Sequence, residues 1–296
     1  MAEWDAEVEV DESLARRLIG GQFPEVGPAL RRLGSGWDND VWLADERWTF
    51  RFPRRALAIE GVEREIAALP RLAPHLPLPV PVPELVGRPA DGYPWPFFGA
   101  RFIPGREIAE AELDDDARDR LARPLAGFLR ALHDSRLGGL PDDPFRRGDM
   151  AFRAPATRER LAAAEQLGLW RAPPAVAGLL ARAERLPPPR AAAVVHGDLH
   201  FRHLLVRDGA LAGVIDWGDL CRADPSIDLV LVWTTLDRHG REAFLAEYGP
   251  VEEEALLRAR VLALFLSATL AVFARREGLG ALEREAVASL ARASRD

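Results

Sequence analysis

Hydrophobic positions along the chain follow two rhythms. Leu14, Leu18 and Ile19 recur at helical spacing and predict a short amphipathic helix over residues 11 to 20. Val41-Trp42-Leu43 and Trp48-Thr49-Phe50-Arg51-Phe52 are β-branched and aromatic runs that predict strands, with Leu33-Gly34-Ser35-Gly36 as a turn ahead of them. A helix is expected over VEREIAALPRL. Five prolines from Pro74 to Pro83 then predict an extended, rigid connector, because proline fixes φ and moves its predecessor out of the helical region. Trp95 to Ile103 reads as an apolar strand stopped by Pro104-Gly105.

Beyond that stop the rhythm is mainly helical. Leu121, Leu125, Phe128, Leu129 and Leu132 share one face, so Ala117 to His133 is expected to be an amphipathic helix, with His133 packed at its end. The preceding acidic run, Glu110 to Asp116, reads as a solvated turn and N-cap region. Further helices are expected over 157–169 and 174–186, ended by Pro187-Pro188-Pro189, and over Ser226 to Arg238 and Glu252 to Arg276. Between them the two-residue rhythm returns. Val194-Val195, Leu204-Leu205-Val206 and Val214-Ile215 predict short strands, the last two joined by a hairpin at Arg207-Asp208-Gly209. A β-rich first third followed by a mostly helical remainder is an α+β arrangement, and 296 residues suffice for two separate cores. The apolar run Val261 to Ala274 is too short to span a bilayer and reads as a buried helix.

Composition narrows the function classes. A net charge of -7 excludes a general nucleic-acid binder, which needs a basic face, and weakly suits a cationic substrate. One cysteine, Cys221, permits no intrachain disulfide and is compatible with a reducing cytoplasm. Glu3, Asp5, Glu7, Glu9 and Asp11 make an acidic start unlike a signal peptide, so a cytoplasmic protein with no membrane partner is expected. All 39 basic residues are arginine, a bias that genomic base composition explains. The sequence carries no signal for oligomeric state.

Candidate chemistry is concentrated between Val194 and Leu229, which holds three of the six histidines (His196, His200, His203) and, besides Asp208 in the hairpin turn, five aspartates (Asp198, Asp216, Asp219, Asp224, Asp228). If the hairpin forms, Asp198 enters one strand and Asp216 leaves the next, so both carboxylates reach one edge, and His203 leads into the first strand. Two carboxylates and an imidazole there would seat a hard cation such as Mg2+.

This stretch resembles the catalytic and metal-binding segments of the aminoglycoside phosphotransferase family, which shares the protein-kinase-like fold and includes macrolide phosphotransferases. The family pattern HGDLHxxN, then IDxxD, then DPxxDL is met by His196-Gly197-Asp198-Leu199-His200, by Ile215-Asp216-Trp217-Gly218-Asp219 and by Asp224-Pro225-Ser226-Ile227-Asp228-Leu229. His203 stands where most members carry a metal-ligating Asn, as in the macrolide and 2″-aminoglycoside branches. The resemblance implies a bilobal protein-kinase-like fold, with a nucleotide-binding lobe over residues 1–102 and a catalytic and substrate-binding lobe over 103–296.

It also implies roles. Asp198 would take the acceptor hydroxyl's proton, and Asp216 with His203 would hold Mg2+. The glycine-serine turn at Ser35 would approach the triphosphate of ATP or GTP. Arg51 stands where the family usually has a Lys, oriented by Glu65, with Glu60 and Glu63 as alternative partners; Arg keeps the charge but its planar fork differs from an ammonium. Backbone groups at Arg101 and Ile103 would pair with the nucleotide base. Asp219 and His200 would touch a small-molecule acceptor, and His196 and Asp228 would brace the catalytic loop. The implied activity is nucleoside-triphosphate-dependent O-phosphorylation of an aminoglycoside or macrolide antibiotic. Two other readings stay open: a kinase of an ordinary metabolite such as a sugar or amino alcohol, because one fold serves many acceptors, and a non-catalytic nucleotide-binding protein. The last predicts damaged motifs. Asp198 and Asp216 are both intact, and Arg51 and His203 are the departures.

Overall fold

A computed structural model describes residues 6–36 and 38–295; Glu3 and Asp5 of the acidic start lie outside the described residues. The chain folds as two compact units. One runs from the N-terminus to Pro74 and adds Pro79–Pro104 and Asp216–Leu220; the other takes His75–Leu78, Gly105–Ile215 and the chain from Cys221 onward.

In the first unit, Asp11 accepts a hydrogen bond from the Leu14 N–H at 2.8 Å and so starts helix α1 (Glu12–Gln22). Strands β1 (Leu30–Ser35), β2 (Asn39–Ala44), β3 (Trp48–Pro53), β4 (Pro83–Gly87) and β5 (Phe97–Arg101) form an antiparallel sheet in the order β1-β2-β3-β5-β4. Helix α2 (Ile59–Leu72) lies between β3 and β4 in sequence. The alternation along β3 and β5 divides the residues between two cores. Trp48, Phe50, Phe52 and Phe97 join Leu18 and Ile19 of α1, and Phe23 just after it, in one cluster, while Phe98 and Ala100 pack with Val62 and Ile66 of α2 in another. Arg51, between Phe50 and Phe52, therefore points to the α2 face.

Two expectations change here. The glycine-serine segment is not a free turn: β1 continues through Ser35, and the register slips between Arg32 and Gly34, so Leu33 is an extra residue in a β-bulge. Reversal happens later, where the Gly36 N–H donates to the Asn39 carbonyl at 2.9 Å. The proline connector opens with a single helical turn at Ala73–His75, and its last proline, Pro83, begins β4. β4 is an edge strand, and its first position is one of the few that tolerates a residue without an N–H.

Gly87 of β4 faces the Phe97 ring so closely that a Cβ would fall within it. Gly87→Ala is expected to destabilise this unit by about 1–3 kcal/mol through overpacking, read as a lower denaturation midpoint. An unchanged midpoint would show that Phe97 has room to move.

The second unit begins with β6 (Arg106–Glu107) and α3 (Asp115–His133); Asp114 accepts from the Ala117 N–H at 2.7 Å as its N-cap. Helix α4 (Met150–Gln166) begins before the expected residue 157, because Asp149 caps it, accepting from Ala151, and Pro155 is accommodated inside. α5 (Pro174–Ala183) starts on a proline, which lacks only an N–H that the first turn does not use. Strands β7 (Ala193–Val195), β8 (Leu204–Arg207), β9 (Ala210–Val214) and β10 (Cys221–Ala223) build two small antiparallel sheets, β6-β8-β9 and β7-β10. The expected hairpin is present, with Leu204 opposite Val214 and the chain turning at Asp208-Gly209, both at positive φ.

The helix expected over Ser226 to Arg238 is broken instead into a short turn, α6 (Val230–Thr234) and α7 (Arg238–Tyr248). β-branched Thr234-Thr235 disfavour continuation, and Asp237 caps a new helix by accepting from the Gly240 N–H at 2.9 Å. α8 (Glu253–Glu277) ends at Gly278, which takes the left-handed conformation, and α9 (Gly280–Ser294) follows. Among the described residues α8 is the helix long and apolar enough to cross a membrane, and 61% of its apolar window is buried inside the protein. α4, α5, α6 and α9 all pack on it. Arg118 of α3 forms a two-pronged pair with Glu285 of α9, at 3.1 and 2.7 Å, with both residues buried.

Candidate active site

The loop leaving β7 carries the histidines and Asp198. Its turn needs Gly197, whose φ of +91° suits a residue without a Cβ. Behind it, Asp228 is fully buried and accepts from the backbone N–H groups of His196 (2.8 Å) and Gly197 (3.1 Å). Asp228 also contacts His133 Nε2 at 3.1 Å, and His133 Nδ1 contacts the Tyr248 hydroxyl at 2.7 Å. Burial, then the nearby aspartates, push the Tyr248 pKa well above the usual phenol value, so Tyr248 keeps its proton. His196 Nε2 donates to the Ile215 carbonyl at 3.0 Å and ties the loop to the end of β9. Tyr248 is a supporting residue that sequence reasoning missed, since it has no motif of its own; His133 was expected only to pack.

These supports leave the Asp198 side chain 43% exposed. Its main chain is held at both ends: the N–H points to His196 Nδ1 at 3.4 Å, and the carbonyl accepts from His203 Nδ1 at 2.8 Å. The second bond fixes the His203 tautomer, with Nε2 as the ligand-type nitrogen. His200 is fixed in the opposite sense, because its Nδ1 accepts from the Arg202 N–H at 3.2 Å. Its Nε2 then carries the proton and lies 3.7 Å from Asp198 Oδ2. Ligand atoms of Asp198, His200 and His203 all fall within 4.8 Å, a spacing compatible with a metal, but the His200 tautomer presents a proton there. The resemblance implied an acceptor contact at His200; the residue is only 5% exposed, its ring lies 3.8 Å from that of His203, and its Nε2 faces the Asp198 carboxylate.

The first unit holds a second cluster. Arg51 Nη2 meets Asp216 Oδ1 at 2.7 Å, while Nη1 lies 3.5 Å from Glu65 Oε1. Glu65 is completely buried, and neither carboxylate oxygen has a hydrogen-bond partner. Asp216 adopts φ +68°, a left-handed conformation that a non-glycine residue takes at a cost of about 1–3 kcal/mol, as is common where function demands a particular direction. Gly218 supports this turn: its carbonyl accepts from Arg64 Nη1, and its backbone approaches Gly61 of α2 so closely that a Cβ on Gly61 would lie 3.2 Å from that oxygen. Asp219, half-buried, belongs to the same unit.

Electrostatics separates the members of this cluster. Burial opposes the Arg51 charge, but Asp216 and then Glu65 outweigh it, and its pKa stays above the ordinary arginine value. Glu65 goes the other way: burial pushes it from 4.5 up to about 7, against the pull of Arg51 and with the help of Asp216 and Asp219. The close, hydrogen-bonded pair is Arg51–Asp216, so the more distant Glu65 carboxylate is poorly compensated. A carboxyl raised in the folded state binds its proton more tightly there than in the unfolded chain. Its contribution to stability is therefore complete below about pH 4.5 and is lost as pH rises through about 7. The first unit is expected to lose stability over that window in wild type and to show a flatter profile in Glu65→Gln, measured by denaturant unfolding at several pH values. Parallel profiles would count against an elevated Glu65.

Of the other expected residues, Ser35 and Arg101 have engaged side chains. The Ser35 hydroxyl donates to Asp40 and accepts from Arg32. The Arg101 guanidinium lies 3.9 Å over the Trp48 ring and pairs with Glu84 at 3.2 Å, leaving only its backbone for the expected role. Ile103 follows β5, half-buried. Glu60 and Glu63 make no ion pair among the described residues, which leaves Glu65 as the partner of Arg51. In the first unit the half-exposed Asp216 carboxylate suits a hard divalent cation, and in the second His203 Nε2 is the unprotonated, ligand-type nitrogen.

Similarity to known proteins agrees with this architecture. The GDP and kanamycin complex of APH(2")-IIia superposes with a TM-score of 0.68 at 24% identity, covering 93% of this chain and 96% of that one. The GDP complex of wild-type aminoglycoside 2'-phosphotransferase-IIIa gives 0.69 at 23% identity, covering 94% and 99%. Macrolide 2'-phosphotransferase MphH from Brachybacterium faecium, as apoenzyme, gives 0.61 at 22% identity, covering 95% and 97%. At these identities the likeness is one of fold, and the α+β, protein-kinase-like fold is the one these proteins share. No curated protein sequence matches the chain. The model of the phosphotransferase enzyme family matches residues 29–262, which takes in the sheet, Arg51, Glu65, the Asp198 loop and Asp216. With most of its length so matched, the chain belongs to the phosphotransferase enzyme family.

Proposed function

We propose that the protein transfers the γ-phosphate of a nucleoside triphosphate to a hydroxyl of a small molecule, and that the acceptor is an aminoglycoside or macrolide antibiotic. The observation that carries this reading is Asp198: a half-exposed carboxylate on a loop otherwise fixed by buried hydrogen bonds. Such a group can be positioned without moving, which is most of what phosphoryl transfer asks of a protein. Asp198 accepts the proton of the acceptor hydroxyl as the new O–P bond forms. The bond from the γ-phosphorus to the bridging oxygen breaks, and the nucleoside diphosphate leaves.

His200 Nε2 faces Asp198 Oδ2 at 3.7 Å. Arg51 places positive charge for the triphosphate, and Asp216 with His203 would hold Mg2+. When bound, that ion neutralises phosphate charge. Backbone groups of Arg101 and Ile103 are proposed for the base, Ser35 for the phosphates, and Asp219 for the acceptor. The donor is ATP or GTP; similar structures hold GDP in some cases and ATP in another. The acidic net charge suits a cationic aminoglycoside, and a cytoplasmic location suits a protein that consumes nucleotide.

The test is nucleotide turnover by the purified chain with Mg2+, with ATP and GTP each offered against aminoglycosides, macrolides, sugars and amino alcohols. Turnover that depends on an antibiotic is expected. Turnover only with a sugar or amino alcohol would replace the antibiotic with a metabolite acceptor, and nucleotide binding without turnover on any acceptor would overturn catalysis.

A further inference from the structure

Arg51 has two carboxylates within reach and uses them unequally. Nη2 sits 2.7 Å from Asp216 Oδ1, whereas Nη1 stops 3.5 Å from Glu65 Oε1. Glu65 has no hydrogen bond at either oxygen despite complete burial, and Arg51 Nε likewise lacks one. A buried carboxylate left so poorly paired is a costly arrangement, and it persists because the guanidinium is drawn to Asp216 instead. The cluster is thus a cation with one occupied seat and one seat ready to receive it.

We propose that Arg51 is an internal counter-ion for Asp216 that a divalent cation must displace, the guanidinium then settling on Glu65, so that Arg at this position lowers metal affinity. The inference rests on the reading of Asp216 as a metal carboxylate. Its physical basis is the length and shape of the side chain. Lysine carries its charge one atom closer to the backbone and as a point rather than a fork, so at unchanged net charge it cannot span to Asp216 as Arg51 does. A guanidinium 2.7 Å from Asp216 Oδ1 and a divalent cation on the same carboxylate oppose each other by like charge. Displacement then has a place to go, since Nη1 is already directed toward Glu65. The consequence is that the nucleotide-free protein holds a divalent ion weakly, and triphosphate and metal are bound most readily together.

The experiment is titration of the full chain with Mn2+ alone, nucleotide absent, counting free Mn2+ by its paramagnetic resonance signal. Arg51→Lys is expected to bind Mn2+ about fivefold more tightly than wild type, the order expected for removing one half-exposed ionic contact. Arg51→Met, which keeps the apolar stem, serves as a second variant should Lys lower the melting temperature, and it too is expected to bind more tightly. Asp216→Asn is expected to lose the binding. Equal affinities for wild type and Arg51→Lys, with binding still lost in Asp216→Asn, overturn the counter-ion role alone. So does a gain confined to Arg51→Met, which would report only the change of net charge. Wild-type Mn2+ binding in Asp216→Asn overturns the metal reading, and the counter-ion role with it.

Discussion

Asp198→Asn is expected to lower kcat for acceptor phosphorylation by about 10^2–10^4-fold, the usual contribution of a positioned general base, while nucleotide binding and KM for the acceptor change little. The expectation follows from which atoms of Asp198 hold the loop. Two supports are main-chain bonds: the N–H points to His196 Nδ1 and the carbonyl accepts from His203 Nδ1. Asparagine keeps both and has the same shape, so only the ability to accept a proton is removed. The loop itself is further secured from behind by Asp228, which does not touch the side chain. Steady-state kinetics with the acceptor found in the turnover panel, together with nucleotide binding by calorimetry, make the comparison. A kcat within a few-fold of wild type would remove Asp198 from the proton transfer. His203→Ala serves as contrast, since it removes a bond to the Asp198 carbonyl and is expected to disturb both kcat and metal binding.

Much of this arrangement is legible in the residues, and the limits of that legibility are physical. The strand at Trp48–Pro53 announces itself because aromatic residues alternate with polar ones, and the same alternation puts Arg51 on the side that meets α2. Glu65 is then selected over Glu60 and Glu63 by helix geometry, which the sequence alone leaves open. The hairpin at Leu204–Val214 and the caps Asp11 and Asp114 are local, and local rules suffice for them.

What the sequence conceals is non-local or compensated. Nothing local distinguishes Gly34-Ser35 in a bulged strand from Gly34-Ser35 in a turn, since glycine suits both; pairing of Ser35 with Asp40 decides it. The start of α4 is hidden by Pro155, normally a stop, which Asp149 offsets. Tautomers are hidden altogether. His200 and His203 are three residues apart and look interchangeable as ligands, yet bonds from the Arg202 N–H and to the Asp198 carbonyl give them opposite proton positions. That difference leaves a proton on His200 Nε2, toward Asp198, and none on His203 Nε2. Tyr248 and Glu285 act across more than a hundred residues of sequence and have no motif.

Glu285→Leu is expected to destabilise the second unit by about 3–5 kcal/mol, the range for breaking a buried pair by removing one partner. The size comes from what is left behind. Glu285 accepts two bonds from Arg118 and also one from Arg292 Nη2 at 2.5 Å, so one carboxylate serves two guanidinium groups. Burial already pushes the Arg292 pKa below the usual arginine value, with Glu285 the largest opposing influence. Removing Glu285 leaves two buried cations facing one another, which leucine cannot compensate despite its apolar surface. The Arg118 Nε bond to the Leu113 carbonyl and the Arg292 Nε bond to the Thr234 carbonyl persist, so neither guanidinium is freed to reach solvent easily. Because the pair ties α3 to α9 and lies in neither candidate cluster, the variant is expected to lose stability without a change in acceptor specificity. Arg118→Met should cost less than Glu285→Leu, since Glu285 then keeps Arg292. Urea unfolding of the three proteins gives the order directly, and a larger loss for Arg118→Met would mean that Arg118, rather than the shared carboxylate, is the centre of the network.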